Sequence, residues 1–377
     1  MTKSYEICTK CVMDTSDPDI HFGADGVCCH CRNYDARIRK DLHLDDEGQQ
    51  HLKRLIESIK RRYAKKKYDC LIGVSGGVDS TYVAYVAKKI LGLRPLAVHF
   101  DNGWNSELSV KNIEQTLKRL DIDLYTHVMD WEEFRDLQRS FIEASIINWE
   151  IPTDHGITAL LYKIAAKYNI KYIFGGGNIA TEAIMPISWV FYARDLKHLK
   201  SVHRKLGTRP LRTFPTMSMS KFLYYTFVRG IRWFPVLNYF DYNKEQVMQI
   251  IQGELGWKYY GGKHYESIFT RFYQGYVLPE KFGVDKRRAH YSTLINSGQL
   301  KRADALAELE KPQYDPEQFA KDYQFFLKKF DLTDEMFKEI LDRPVVPHRS
   351  FGSDVILFEK LGKWMAFVKR IATANYR

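Results

Sequence analysis

Ile72-Gly73-Val74-Ser75-Gly76-Gly77-Val78-Asp79-Ser80 is the stretch that decides how this 377-residue chain is read. The apolar run 69–74 before it has the length and composition of a buried strand, and the pattern beyond it, 81–91, is helical. A small, glycine-rich turn between a strand and a helix presents backbone N–H groups to an anion, and the helix start adds its partial positive charge. The hydroxyls of Ser75 and Ser80 can donate to phosphate oxygens, while Asp79 can hold Mg²⁺ or order the loop. The segment lacks the lysine and the spacing of a G-x-x-x-x-G-K-[ST] loop, and it is not G-x-G-x-x-G.

Outward from this loop the chain alternates strand and helix. Strands are expected at 96–100, 123–128 and 171–174, with helices at 50–67, 110–120 and 157–168 between and around them. That alternation predicts an α/β fold with a doubly wound parallel sheet. Two further turns belong to the same frame. His99-Phe100-Asp101-Asn102-Gly103 follows the second strand, and Gly175-Gly176-Gly177-Asn178 follows a later one. Ligands of open α/β sheets bind beyond the carboxyl ends of the strands, so both turns are expected at the nucleotide crevice. The loop resembles the SGGxDS phosphate loop of the PP-loop ATP pyrophosphatases (the adenine nucleotide α-hydrolase-like fold), at every position of that motif.

The N-terminal region is of another kind. Five of the six cysteines fall within the first 31 residues, and Cys8-Thr9-Lys10-Cys11 and Cys28-Cys29-His30-Cys31 give two C-x-x-C pairs separated by 16 residues. Two such pairs can close a tetrahedral structural Zn²⁺ site, with Cys8, Cys11, Cys28 and Cys31 as the expected ligands. An iron–sulfur or redox role is the rival. Cys70 stands apart, in the first strand. The sequence has no apolar leader near its start and no apolar run long enough for a span, so a cytoplasmic protein is expected. The net charge of +11 suits an anionic substrate such as a nucleotide, sugar nucleotide or nucleic acid. Residues 194–232 hold ten Lys or Arg and one acid, Asp195, with aromatics interleaved. Residues 222–240, rich in Tyr, Phe, Trp and Arg, could lie on a membrane surface, but Pro235 interrupts the run, and a buried helix followed by a turn is the expected form. The remainder is expected to be mostly helical, with helices at 304–310 and 316–330. The resulting division is a zinc-binding knuckle at 1–50, an ATP-binding α/β domain at 51–240, and a helical substrate or partner region at 241–377.

One family matches these residues. Cys8-x-x-Cys11-Val12-Met13 with Thr15, Pro18 and Ile20, then Gly26-Val27-Cys28-x-x-Cys31 and the SGGVDS loop, resemble the bacterial N-acetyl sugar amidotransferases of O-antigen and nonulosonic acid pathways. So do Gly256-Trp257-x-x-Tyr260, Gly262-Lys263-His264-Tyr265-Glu266-Ser267, Thr270-Arg271-Phe272, Leu278-Pro279-x-Lys281-Phe282-Gly283-x-Asp285-Lys286-Arg287-Arg288 and Leu294-Ile295-x-Ser297-Gly298-Gln299. The similarity runs from Cys8 to about Tyr314, with Cys29 as the departure. It implies conversion of a sugar N-acetyl group to an acetamidino group. The acetamido oxygen attacks the α-phosphate of ATP, pyrophosphate leaves, ammonia adds to the O-adenyl imidate, and AMP departs. It also implies a sugar-nucleotide substrate, and partners resembling the glutaminase and cyclase of the histidine pathway as the ammonia supply.

The resemblance and the loop chemistry together nominate the site. Gly73, Val74, Ser75, Gly76, Gly77, Val78, Asp79, Ser80, Phe100, Asp101, Asn102, Gly176, Gly177 and Asn178 are expected around ATP and Mg²⁺. Asp79, Ser75, Lys263, Glu266 and Arg271 are expected at the chemistry. His155, Glu182, His264 and the basic run Lys286-Arg287-Arg288 are further candidates. Trp257 and Tyr265 can stack on a sugar or base, or fill core. The rival reading is a tRNA-modifying PP-loop enzyme, for which the basic, aromatic 194–232 segment is suited. Thiolation would require a reactive cysteine near the loop, and only Cys70 follows residue 31, so nucleic acid is the less favoured partner.

Overall fold

The computed structural model describes residues 4–262, 265–357 and 359–360. Five parallel strands form its one sheet: β1 Cys70–Gly73, β2 Pro95–Asp101, β3 Asp123–Val128, β4 Tyr172–Phe174 and β5 Arg232–Phe234, ordered β3-β2-β1-β4-β5. Side chains of alternate strand residues enter different cores. Leu71, Leu96, Val98, Phe100 and Ile173 lie in one, while Cys70, Ile72, Ala97 and Phe174 lie in the other. Helices cover both faces, which makes the sheet doubly wound.

The chain order reverses between β1 and β4, and such a switch point leaves a crevice at the strand ends. The phosphate loop leaves β1 there, and Gly175-Gly176-Gly177 leaves β4 there. The second core joins the helices Asp46–Tyr63, Val78–Tyr85 and Glu107–Leu120 to the helix Lys244–Leu255 and to Trp257. One face of the sheet therefore shares a core with the chain as far as Trp257. Beyond it the described residues are mostly helical, and they pack into the other core through Phe269, Phe272, Phe326 and Phe330.

Residues 222–240 depart from the expected buried helix and turn. A short helix, Met219–Leu223, continues as a wider turn, Tyr224–Val228, whose outer side is exposed, and the chain then adds β5 to the sheet edge. Only Arg232–Phe234 of this stretch is a strand of the sheet, too short for its period to be read from the sequence. Among the described residues no helix is long and apolar enough to cross a membrane.

Candidate active site and metal centre

The phosphate loop is held open by its own side chains. Ser80 Oγ accepts from the Ser75 amide at 3.2 Å and donates to the Gly77 carbonyl at 3.2 Å. Ser75 Oγ accepts from the Gly77 amide at 3.3 Å. Gly76 is left-handed (φ +80°), and a Cβ there would come within 2.4 Å of the Ser109 carbonyl oxygen, so only glycine fits. The helix Val78–Tyr85 starts directly after Gly77 and aims its first amides at the crevice.

Residues from the far end of the chain clamp this loop. The buried Trp257 indole N–H donates to the Gly76 carbonyl at 2.8 Å. Beside it, the Asn112 side chain pairs with both backbone groups of Lys258, at 2.8 and 2.9 Å. Glu266 lies over Gly77, where a Cβ would meet its Oε1 at 2.9 Å. Tyr242 donates its phenol to Asp79 Oδ1. Burial first, then the Asp79 charge, holds that phenol well above its ordinary range, so it remains a donor. Burial and then Glu266 do the same for Tyr260.

One cavity of about 610 Å³ opens from the loop. Ser75, Gly77, Val78, Asp79, Ser80, Gly176 and Glu182 form its floor. Its opposite wall comes from residues beyond 240, among them Tyr259, Tyr260, Tyr265 and Glu266, the cations Lys244, Lys286, Arg287 and Lys311, and His290 and Tyr291. Lys286 is tied to Glu150 at 3.3 Å. Arg287 pairs with Asp285 at 2.8 Å and donates to the carbonyls of Glu308, Leu309 and Lys311, so it fastens the segment that closes the wall.

Other nominated residues lie elsewhere. Gly73 packs beside Leu161, and Val74 and Phe100 are core, Phe100 between Phe134 and His127. Asp101 and Asn102 shape their own turn by accepting from the Gly103 and Trp104 amides, at 3.0 and 3.2 Å. Asn178 caps the helix Ile179–Glu182 and reaches Asp79 Oδ1 at 3.5 Å, a supporting position. Gly177 is exposed beside them.

Arg271 is the clearest departure from expectation. It is buried against Asp322 in a two-point pair at 2.6 and 2.8 Å, completed by Tyr314 and Gln318, and it does not line the cavity. Arg288 turns to the cysteine region and pairs with buried Asp14 at 3.0 Å. His155 is a buried connector, between the Ala193 carbonyl at 2.8 Å and the Met217 amide at 3.1 Å. Lys263 and His264 lie outside the described residues. Reading the sequence missed Tyr242, Lys244, Tyr259, His290, Tyr291 and Lys311. Of these, only Tyr242 and the 256–262 aromatic run gave a signal, as polar-tipped aromatics among core positions.

The four cysteine sulfurs of Cys8, Cys11, Cys28 and Cys31 lie within 4.8 Å of one another, all buried. Their contacts of 3.7, 3.8 and 4.0 Å match the edges of about 3.8 Å of a tetrahedron with metal–sulfur bonds of about 2.3 Å. Amides of Cys11 and Cys28 donate to Cys8 Sγ at 3.4 and 3.2 Å, and Asn296 Nδ2 donates to Cys31 Sγ at 3.3 Å. Such donors favour thiolate. The donor set fits Zn²⁺. Cys29 is buried outside the set, and Cys70 is a core thiol that burial pushes up.

Two separate stretches of the chain match known families. Residues 50–185 match the NAD synthase family model, and residues 266–365 match the model for "LPS biosynthesis protein WbpG-like, C-terminal domain". A GMP synthase (glutamine-hydrolyzing) of Pyrobaculum aerophilum is 31% identical over 109 residues, 28% of this chain and 20% of that one. The corresponding Aeropyrum pernix enzyme is 38% identical over 69 residues, 18% of this chain and 13% of that one. The chain thus spans a fifth or less of these curated relatives. An uncharacterised protein of Methanocaldococcus jannaschii is 22% identical over 70% of this chain and 80% of its own length. Among solved structures, NMN synthetase from Francisella tularensis aligns with TM-score 0.33 and 14% identity, covering 76% of this chain and 96% of that one. NH3-dependent NAD synthetase from Campylobacter jejuni aligns with TM-score 0.29 and 13% identity, covering 54% and 83%.

Proposed function

We propose that this chain, a PP-loop protein with a WbpG-like C-terminal domain, is an ATP-dependent ligase that converts the N-acetyl group of a nucleotide-linked sugar into an acetamidino group. The observation that carries the reading is the shared cavity, with a phosphate loop on one wall and a cationic, tyrosine-rich surface on the other. ATP lies with its phosphates on Ser75, Gly77, Ser80 and the helix start, where preorganised N–H donors stabilise charge growing on the α-phosphate. Asp79, oriented by Tyr242 and Asn178, offers its carboxylate to the Mg²⁺ that accompanies the nucleotide. Lys244 and Lys311 lie on the wall suited to a diphosphate-linked sugar, and tyrosine faces suit its rings.

Catalysis here is chiefly positioning. The acetamido oxygen attacks the α-phosphorus, the bond to the pyrophosphate oxygen breaks, and the imidate so formed is open to ammonia at its carbon. Loss of AMP with one proton leaves the amidine. The NAD synthase match and the GMP synthase relatives support the ligase chemistry; the sugar rests on the WbpG-like domain.

The nitrogen is proposed to arrive as ammonia from separate glutaminase and cyclase-like subunits. Cys29 and Cys70 are both buried, so neither offers the exposed, activated thiolate that a cysteine glutaminase needs. The test incubates the purified chain with ATP and a panel of nucleotide-linked N-acetyl sugars, with ammonium or with glutamine. The expected result is AMP and an amidine from ammonium and none from glutamine. ADP as the spent nucleotide, or pyrophosphate release driven by RNA instead of by any sugar, would defeat the reading.

A further inference from the structure

Four large apolar side chains crowd ten residues at the edge of the sheet. Tyr224, Phe227, Val228 and Trp233 are 47, 58, 72 and 46% exposed. They flank the turn at Gly230, which is left-handed (φ +65°) with nothing within 4 Å of a Cβ built there, so that position faces open space. It leads into β5, which pairs only with β4. We propose that this turn is a peripheral docking surface for a lipid bilayer bearing anionic headgroups.

Charge supports that occupant. Lys221, Arg232 and Arg62 are exposed around the turn, with Arg229 and Lys171 half-buried beside them. None of the five forms an ion pair among the described residues, and residues 196–240 contain no Asp or Glu. The cations crowd one another: burial first, then Arg229 and Arg62, hold the Lys171 ammonium below its ordinary range. A surface of this sign, with Trp and Tyr around a Phe-Val tip, has the make-up of an interfacial anchor, in which aromatics sit at headgroup depth and cations meet anionic lipid. RNA would use the aromatic rings as stacking platforms, but the most exposed member, Val228, has no π-face to offer. A protein partner would have to supply a concave apolar seat rimmed by acids. A second copy of this chain cannot do so through the same acid-free surface.

Co-flotation of the full chain with phosphatidylcholine vesicles, and with vesicles containing added phosphatidylglycerol, tests the proposal. Binding is expected only to the anionic vesicles and should weaken with salt. Phe227→Ser with Val228→Ser should abolish it, and Lys221→Gln with Arg232→Gln should weaken it about fivefold per cation removed. Unchanged melting temperatures would show that these surface variants fold. Equal flotation with both vesicle types, none with either, or variants that float like the unaltered chain would overturn the proposal. So would a dimer in solution that Phe227→Ser dissociates, or RNA binding without vesicle binding.

Discussion

Trp257 shows how much of the site depends on single atoms far from it in sequence. Its indole N–H is the donor to the Gly76 carbonyl in the middle of the phosphate loop. Trp257→Phe keeps most of the buried ring and removes the bond, leaving a buried carbonyl short of a partner. KM for ATP is expected to rise by about five- to tenfold, the equivalent of about 1 kcal/mol, with a lowered melting temperature from the unpaired carbonyl and the space left by the smaller ring. A KM for ATP equal to that of the unaltered enzyme would assign Trp257 to packing alone. The loop was legible residue by residue because glycine and serine there do local work. The hydrogen bonds of Trp257 and Tyr242 were not, because an aromatic residue signals a stacking face or core until its polar atom is seen to reach a partner. Arg271 misled in the opposite sense. Its polar, aromatic context suited a site, but the guanidinium answers Asp322, whose position 51 residues away carries no sequence signal.

At the scale of elements, β1, β2, β3 and β4 lie where apolar runs placed them, within a residue or so. β5 was hidden because three residues have too little length for a period. The helix Trp131–Glu143 went unassigned, although Asp130 caps it by accepting from the Glu133 amide. The cysteine knuckle also works through an element. Val12, Cys31 and the pair Asp14–Arg288 hold one side of the helix Arg287–Asn296, while Arg287, His290, Tyr291 and Leu294 on that helix line the cavity. The chain is therefore expected to carry about one Zn²⁺, and Cys8→Ser should lower the metal content, the melting temperature and the affinity for the sugar more than that for ATP. Elemental analysis finding no zinc, or iron with labile sulfide, would contradict this. A second element-level device is the buried contact of His198 with His348, at 3.1 Å, which fixes residues 348–351 on the helix Leu196–Leu206. Burial lowers His198 to about 4, and burial together with His198 lowers His348 to about 3. Both folded values lie below the ordinary 6.5, so the unfolded chain binds protons first. Stability should be full above pH 6.5 and fall as the pH drops from there toward 3, by about 2 kcal/mol per histidine at pH 5 and so on the order of 4 kcal/mol for the pair. His348→Leu should flatten that acid limb in thermal melts taken across the pH range.

For the whole molecule, the sheet supplies a nucleotide crevice and the later half of the chain supplies its lid. The cavity therefore exists only when the segments 75–80, 259–262, 265–266 and 286–313 are brought together. The sequence could nominate residues in each segment, but not their meeting, which depends on the Lys244–Leu255 helix packing beside the phosphate-loop helix. The central claim is that the acetamido oxygen itself is adenylated in that cavity, and oxygen-18 follows it directly. With the label in the N-acetyl oxygen of the sugar, and with ATP and ammonium present, turnover should transfer the heavy oxygen to AMP and leave an unlabelled amidine. Heavy oxygen in pyrophosphate or inorganic phosphate, or retained in the product while AMP stays unlabelled, would contradict it.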